Sequence, residues 1–303
     1  MRVLERFQGS LIGLAVGDAL GTAVEFKRPG TFTPVKDITG GGAFQLPKGA
    51  WTDDTSMALC LAESLIECKG FNAKDQMERY VKWYRRGVLS STGECFDIGN
   101  ATAEALRRFE KTGEPFSGSD DPYAAGNGSI MRLAPVPLYY ASDIREAIQL
   151  SAISSRTTHA ATECVDACRL LGAFIASAAL GMKKEELLST ETFDNLWKDD
   201  PLTKKILEVY KGTYMRLEPP DIQGSGYVVK SLEAALWAFY HSSSFEEGAL
   251  LAVNLGDDAD TTGAVYGQLA GAYYGLDEIP QHWVETIVMK EYILELGRSI
   301  YIK

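Results

Sequence analysis

Apolar residues recur at helical spacing through almost the whole chain, and the strict alternation that marks half-buried strands is hard to find. That pattern restricts the fold to an all-α one. It predicts helices over residues 4–17, 55–69, 73–86, 98–110, 143–157, 160–180, 227–241, 245–254, 261–275 and 283–296. Two of them carry start signals, with Ser244 three residues before Glu247 and Asp143 three before Glu146. Gly181 stands where a left-handed residue closes a helix. No linker, tandem repeat or low-complexity block divides the chain, so residues 1–303 read as one domain. Segments 27–50, 113–127 and 217–226 are rich in Gly, Pro, Ser or Asp, and loops of this kind are where binding residues collect.

One stripe within the helical pattern needs a reason. Gly263, Gly267, Gly271 and Gly275 recur every four residues, on one face of a helix. Each glycine costs about 1 kcal/mol of helix stability relative to alanine. Close approach of a neighbouring helix offsets that cost, so the stripe is expected to be a packing surface. A phosphate cradle would place its glycines at the helix start instead.

Composition enters mainly by exclusion. With 46% hydrophobic residues the chain can bury a sizeable core. Thirty basic and 41 acidic residues leave a net charge of −11, and the absence of a basic stripe argues against a duplex nucleic-acid footprint. The five cysteines, Cys60, Cys68, Cys95, Cys164 and Cys168, form no CxxC pair and are expected as free thiols in a reducing compartment. His159, His241 and His282 are scattered without zinc-ligand spacing. The first nine residues carry Arg2, Glu5 and Arg6 and lack a signal-peptide core, and the uncharged stretch 261–276 is too short to span a bilayer. A cytoplasmic location without membrane attachment is the expectation.

Two acidic segments carry the chemistry. Trp51-Thr52-Asp53-Asp54-Thr55 and Gly256-Asp257-Asp258-Ala259-Asp260-Thr261-Thr262 each stand at the start of a predicted helix. A cap with a favourable dipole contact needs only one such residue. Three aspartates in four positions repel one another unless water or a cation separates them. Oxygen-only donors select hard cations such as Mg2+ or Mn2+ over zinc, and the spacing excludes an EF-hand. Both segments are expected to meet in one binuclear site to which Asp54 and Asp260 contribute.

The chain resembles the ADP-ribosylglycohydrolases. The resemblance runs from about Arg6 to about Gly275. It rests on Gly13-Leu14-Ala15-Val16-Gly17-Asp18-Ala19-Leu20-Gly21 with Glu25, on the first acidic segment, and on Phe96-Asp97-Ile98-Gly99-Asn100. Further along it rests on Gly126-Asn127-Gly128-Ser129-Ile130-Met131-Arg132, Thr158-His159 and the second acidic segment. The resemblance implies a single-domain, all-α orthogonal bundle with two Mg2+ or Mn2+ ions held by Thr52, Asp53, Asp54, Asp258, Asp260 and Thr261. Asp257 is then a neighbour of the ligands. Asp97 and Glu25 become the catalytic candidates, for activating water or protonating the leaving group. Asn100, Gly126, Asn127, Gly128, Ser129, Met131 and His159 become the substrate-binding candidates.

For Asp97 and Asn100 the competing role is helix capping, and for the Asn127-Gly128 pair an ordinary turn. Arg132 is open between neutralising a phosphate and a structural ion pair. The implied reaction frees ADP-ribose from a modified protein or a small ADP-ribose conjugate, with arginine as the first-choice acceptor. Serine linkages, O-acetyl-ADP-ribose, nucleic-acid ends and a non-catalytic ADP-ribose-binding relative stay open.

Overall fold

A computed structural model describes residues 2–303, and its regular elements are helical. Fourteen α-helices follow one another among the described residues: α1 (Val3–Gly21), α2 (Asp53–Cys68), α3 (Ala73–Arg86), α4 (Asn100–Thr112), α5 (Pro135–Tyr139), α6 (Ile144–Ser155), α7 (Thr162–Ala179), α8 (Lys184–Leu187), α9 (Lys204–Tyr210), α10 (Val228–Tyr240), α11 (Phe245–Val253), α12 (Ala259–Tyr274), α13 (Gln281–Thr286) and α14 (Lys290–Tyr301). Among the described residues, extended pairing is confined to three isolated bridges, Gly41 with Leu46, Ser119 with His159 and Gly126 with Tyr227. Both start signals hold: Asp143 accepts from the N–H groups of Arg145 and Glu146, and Ser244 accepts from Glu247 N–H.

The bundle is organised around α1 and α12, and the glycine stripe is the reason. A Cβ on Gly267 would lie 1.9 Å from the carbonyl oxygen of Gly13, and one on Gly271 would lie 1.9 Å from that of Gly9. The stripe therefore has a partner stripe on α1, Gly9, Gly13, Gly17 and Gly21. The two backbones touch along their length. Gly275 departs from the expected stripe: with φ 84° it ends the helix, where a positive φ favours glycine. The last pair in this register brings Gly21 against the backbone of Asp260. Close packing of glycines thus delivers the end of α1 to the second acidic segment.

Most boundaries fall within two residues of expectation, and even these small differences matter. Helices α2 and α12 begin two residues early, at Asp53 and Ala259, so Asp53, Asp54 and Asp260 lie in first turns rather than before them. Helix α4 begins two residues late, with Gly99 at its N-cap position. Asp97 consequently sits outside the helix at φ 59°, and its expected alternative as a cap is corrected. The predicted helix 283–296 is broken into α13 and α14, with Met289 at φ 59°. At the break, Val288 N–H donates to Gly49 O and Val288 O accepts from the Trp51 indole. The interruption clamps the loop that leads into the first acidic segment.

The apolar core around α1, α7, α10 and α12 is continuous. A smaller cluster, with Met57, Tyr80, Trp83, Leu106 and Met131, backs the face of α2 that α3 and α4 cover. All five cysteines are free thiols, three of them buried. No described helix is long and apolar enough to cross a membrane.

Candidate active site

The two acidic segments, about 200 positions apart in sequence, meet at the end of the α1–α12 pair. The Thr52 hydroxyl lies within hydrogen-bond reach of Asp260 Oδ2 (3.2 Å), and the Thr261 hydroxyl donates to Asp54 Oδ1 (3.3 Å). These contacts cross between the first turns of α2 and α12, whose N-termini favour negative charge.

Asp18 organises the first segment, and no role was assigned to it from sequence. Fully buried in α1, it faces the N–H and hydroxyl of Thr52 (2.9 and 3.1 Å) and the N–H and hydroxyl of Thr55 (3.1 and 2.6 Å). Its carboxyl is nevertheless pushed up to about 6, because burial outweighs the hydrogen bonds. The signal was available in the sequence, since an aspartate inside an apolar helix needs a buried partner.

Glu25 and Asp97 complete the cluster. Carboxylate oxygens of Glu25, Asp97 and Asp260 all lie within 4.8 Å of one another. Burial first, then the charges of Asp97 and Asp258, push Glu25 up to about 9. Burial, then Asp18 and Asp258, push Asp97 up to about 7. Burial pushes Asp53, Asp54 and Asp260 well above the usual carboxylate range, with neighbouring carboxylates adding to it. Asp258 moves in the same direction, mainly through burial, although the Asn127 amide donates to it at 2.7 Å.

Three buried oxygens, Glu25 Oε2, Asp54 Oδ2 and Asp260 Oδ1, find no hydrogen-bond donor. Buried, crowded, donorless carboxylates fit hard cations. Asp257 is tied instead through its backbone, accepting from Phe26 N–H (2.7 Å) and donating to Lys27 O (2.8 Å).

A cleft of about 610 Å3 opens over this cluster, within the size range of small-molecule sites. Glu25, Asp53, Asp54, Asp97, Asp258, Asp260 and Thr261 line it. So do Asn100, Gly126, Asn127, Gly128, Met131 and His159 from the substrate-binding candidates. Thr52 stands behind the carboxylates it contacts. Ser129 is not brought to the cleft; its hydroxyl pairs with Ser155 Oγ at 2.8 Å in the interior. Arg132 serves neither of its two expected roles. It is buried over the Tyr80 ring and donates to Gly128 O and Thr158 Oγ1 (both 2.6 Å), which holds the loop in place without an acid partner. His159 bonds the Thr158 hydroxyl through Nδ1 (2.8 Å), and burial followed by the charge of Arg132 pushes it down to about 3. The imidazole is neutral, and no lysine or arginine lines the cleft. Phe26, Thr102, Ser225 and Gly226 also line it and were not singled out from sequence.

The ADP-ribosylglycohydrolase family model matches residues 1–303. The chain belongs to that family. Among family members it is 40% identical over 298 residues to the ADP-ribosylarginine hydrolase Tri1 of Serratia proteamaculans, covering 98% of this chain and 79% of the relative. To the ADP-ribosylarginine hydrolase Tri1 of Pseudomonas putida it is 42% identical over 300 residues, covering 99% and 79%. It is 32% identical to the ADP-ribosyl-[dinitrogen reductase] glycohydrolase of Rhodospirillum rubrum, covering 95% and 92%. A solved structure described as an ADP-ribosylglycohydrolase-related protein complex superposes with a TM-score of 0.87 at 45% identity, covering 99% of this glycohydrolase-family chain and 98% of the other.

Proposed function

We propose that this protein hydrolyses the N-glycosidic bond between ADP-ribose and the arginine of a modified protein. The observation that carries the proposal is the cleft itself, which gathers buried carboxylates with donorless oxygens beside a glycine-rich loop. The arginine acceptor is supported by the activities named for the two relatives at 40% and 42% identity.

Thr52, Asp53, Asp54, Asp258, Asp260 and Thr261 would hold two divalent cations, Mg2+ or Mn2+, with Glu25 and Asp97 close enough to Asp260 to share them. When bound, the cations neutralise the carboxylates, polarise ribose hydroxyls and make a coordinated water more acidic. The chain's own residues do the rest. The Gly128 backbone N–H can approach a diphosphate closely, while the N–H groups of Gly126 and Asn127 are already held by Ala124 O (2.9 Å) and Gly226 O (3.0 Å). Met131 offers the sugar an apolar face, and neutral His159 and Asn100 offer hydrogen bonds.

As the bond from ribose C1 to the guanidinium nitrogen breaks, its electron pair stays on nitrogen and leaves a neutral guanidine. Water oxygen bonds to C1, and the proton released by water passes to that guanidine. Asp97 and Glu25 would relay it, their carboxylate oxygens lying with those of Asp260 within 4.8 Å of one another.

The test is a panel of ADP-ribosylated arginine, serine and O-acetyl substrates assayed with Mg2+ and with Mn2+. Release of free ADP-ribose from the arginine substrate, lost on chelation and in Asp54→Ala, is the expected result. Turnover that survives chelation would remove the cations from the mechanism. AMP and ribose phosphate as products would identify a phosphohydrolase instead.

A further inference from the structure

We infer that Phe26, Phe44 and Phe96 form an aromatic platform that receives the acceptor's guanidinium and thereby selects arginine linkages. The inference rests on the arginine reading of the site. Each of the two proton-handling acids has a phenylalanine as its chain neighbour, Phe26 after Glu25 and Phe96 before Asp97. Phe44, from a third segment, joins them. Its ring lies 6.3 Å from that of Phe26 at 67°, and 5.3 Å from that of Phe96 at 54°.

These rings are not core residues, since none belongs to either apolar cluster. Phe26 is 64% exposed and Phe44 37%, and leaving such surface in water costs stability that burial would have gained. Phe26 also lines the cleft, at a positive φ of 62° that a bulky side chain seldom adopts. Its N–H bond to Asp257 O at 2.7 Å holds that conformation. Strain at a cleft residue is retained where the surroundings over-determine it, and here it aims a ring at the mouth.

Charge complementarity identifies the occupant. On the glycine-loop side, the cleft offers backbone groups and a neutral imidazole, suited to a diphosphate. Its lining also includes Glu25, Asp97 and the ring of Phe26, which Phe44 links to Phe96 just beyond the lining, and no basic residue. A planar cation on an aliphatic stem gains from every one of these groups. An arginine side chain has that form, and its guanidinium stays charged when glycosylated. A serine O-glycoside or an acetyl ester is neutral and gains little from a ring face.

The experiment compares wild type with Phe44→Ala and Phe26→Leu. Phe44→Ala removes the ring that joins the other two, and Phe26→Leu keeps apolar area without the π face. Steady-state kinetics on an ADP-ribosyl-arginine peptide are set beside calorimetric affinity for free ADP-ribose and thermal melts. Both variants are expected to lower kcat/KM by about 5- to 30-fold, mainly through KM, the range for a cation–π contact from exposed to desolvated. Affinity for ADP-ribose should stay within about two-fold of wild type, since the platform lies on the acceptor side. Unchanged kcat/KM in both variants, or an equal loss of ADP-ribose affinity, would overturn the platform while leaving the proposed reaction intact. A wild-type enzyme that cleaves serine conjugates but not arginine conjugates would overturn both.

Discussion

The two ends of the α1–α12 pair make opposite use of one close approach. At one end Gly9, Gly13, Gly267 and Gly271 bring backbones into contact with no side chain between them. At the other, the same register crowds Asp18, Asp260 and Glu25 with the aspartates of α2, where each carboxyl is displaced upward. Approach without charge stabilises, through dispersion and excluded water. Approach with like charge stores a cost that hard cations can lift. The glycine end thus supplies the rigidity that keeps the acidic end assembled.

The sharpest way to break this division is at the glycine end. Gly267→Ala would set a Cβ 1.9 Å from Gly13 O, where only backbone can yield. The expected loss is about 3 kcal/mol or more, beyond the roughly 1 kcal/mol that alanine returns in helix propensity. Urea denaturation measures it, and a stable variant would mean the helices can separate at little cost.

Asp260→Asn acts at the other end. Activity should fall at least about 100-fold with the loss of a proposed cation ligand, yet the metal-free protein should melt at a higher temperature than wild type because a repelling charge is gone. A lower melting temperature would show that the carboxylate is structural.

The pH dependence of metal-free stability sharpens the same point. A carboxyl whose folded value lies above its unfolded one binds its proton more tightly when folded. Its neutral form therefore favours the fold, and stability falls as pH rises through the interval. Asp18, Asp97 and Glu25 all contribute from about pH 4 upward, and their contributions end at about 6, 7 and 9 respectively. Melting temperature should therefore fall from weakly acidic to alkaline pH in chelator, and saturating Mg2+ should flatten the trend. A flat profile without metal would contradict the crowding.

The smallest effect belongs to a residue that looked functional. Ser129→Ala should leave kcat/KM within about two-fold and cost about 1 kcal/mol, the worth of its interior hydrogen bond to Ser155.

Much of this was legible along the chain. Helix α3 has the same bounds in the sequence pattern and in the structure, because its apolar residues Met77, Tyr80 and Trp83 keep one face. The acidic segments stood out because three aspartates in four positions are costly without a purpose. The paired stripe of α1 was overlooked, although Gly9, Gly13, Gly17 and Gly21 share the period of four. The break at Met289 was not visible, because it depends on Val288 meeting Gly49 and Trp51 from far along the chain. The role of Arg132 stayed open along the chain for a similar reason: its partner Thr158 comes from a segment distant in sequence.

Local order alone determined that the chain is helical, roughly where its longer helices lie, and that two oxygen-rich segments needed a cation or water. Those are consequences of spacing and of residue chemistry, which neighbours in sequence already express. Only the tertiary structure decided that Asp18 would seat Thr52 and Thr55, that Ser129 would turn inward, and that three phenylalanines would meet beside Glu25 and Asp97. Such pairings depend on which backbones can approach, and the glycines of α1 and α12 settle that across some 250 residues.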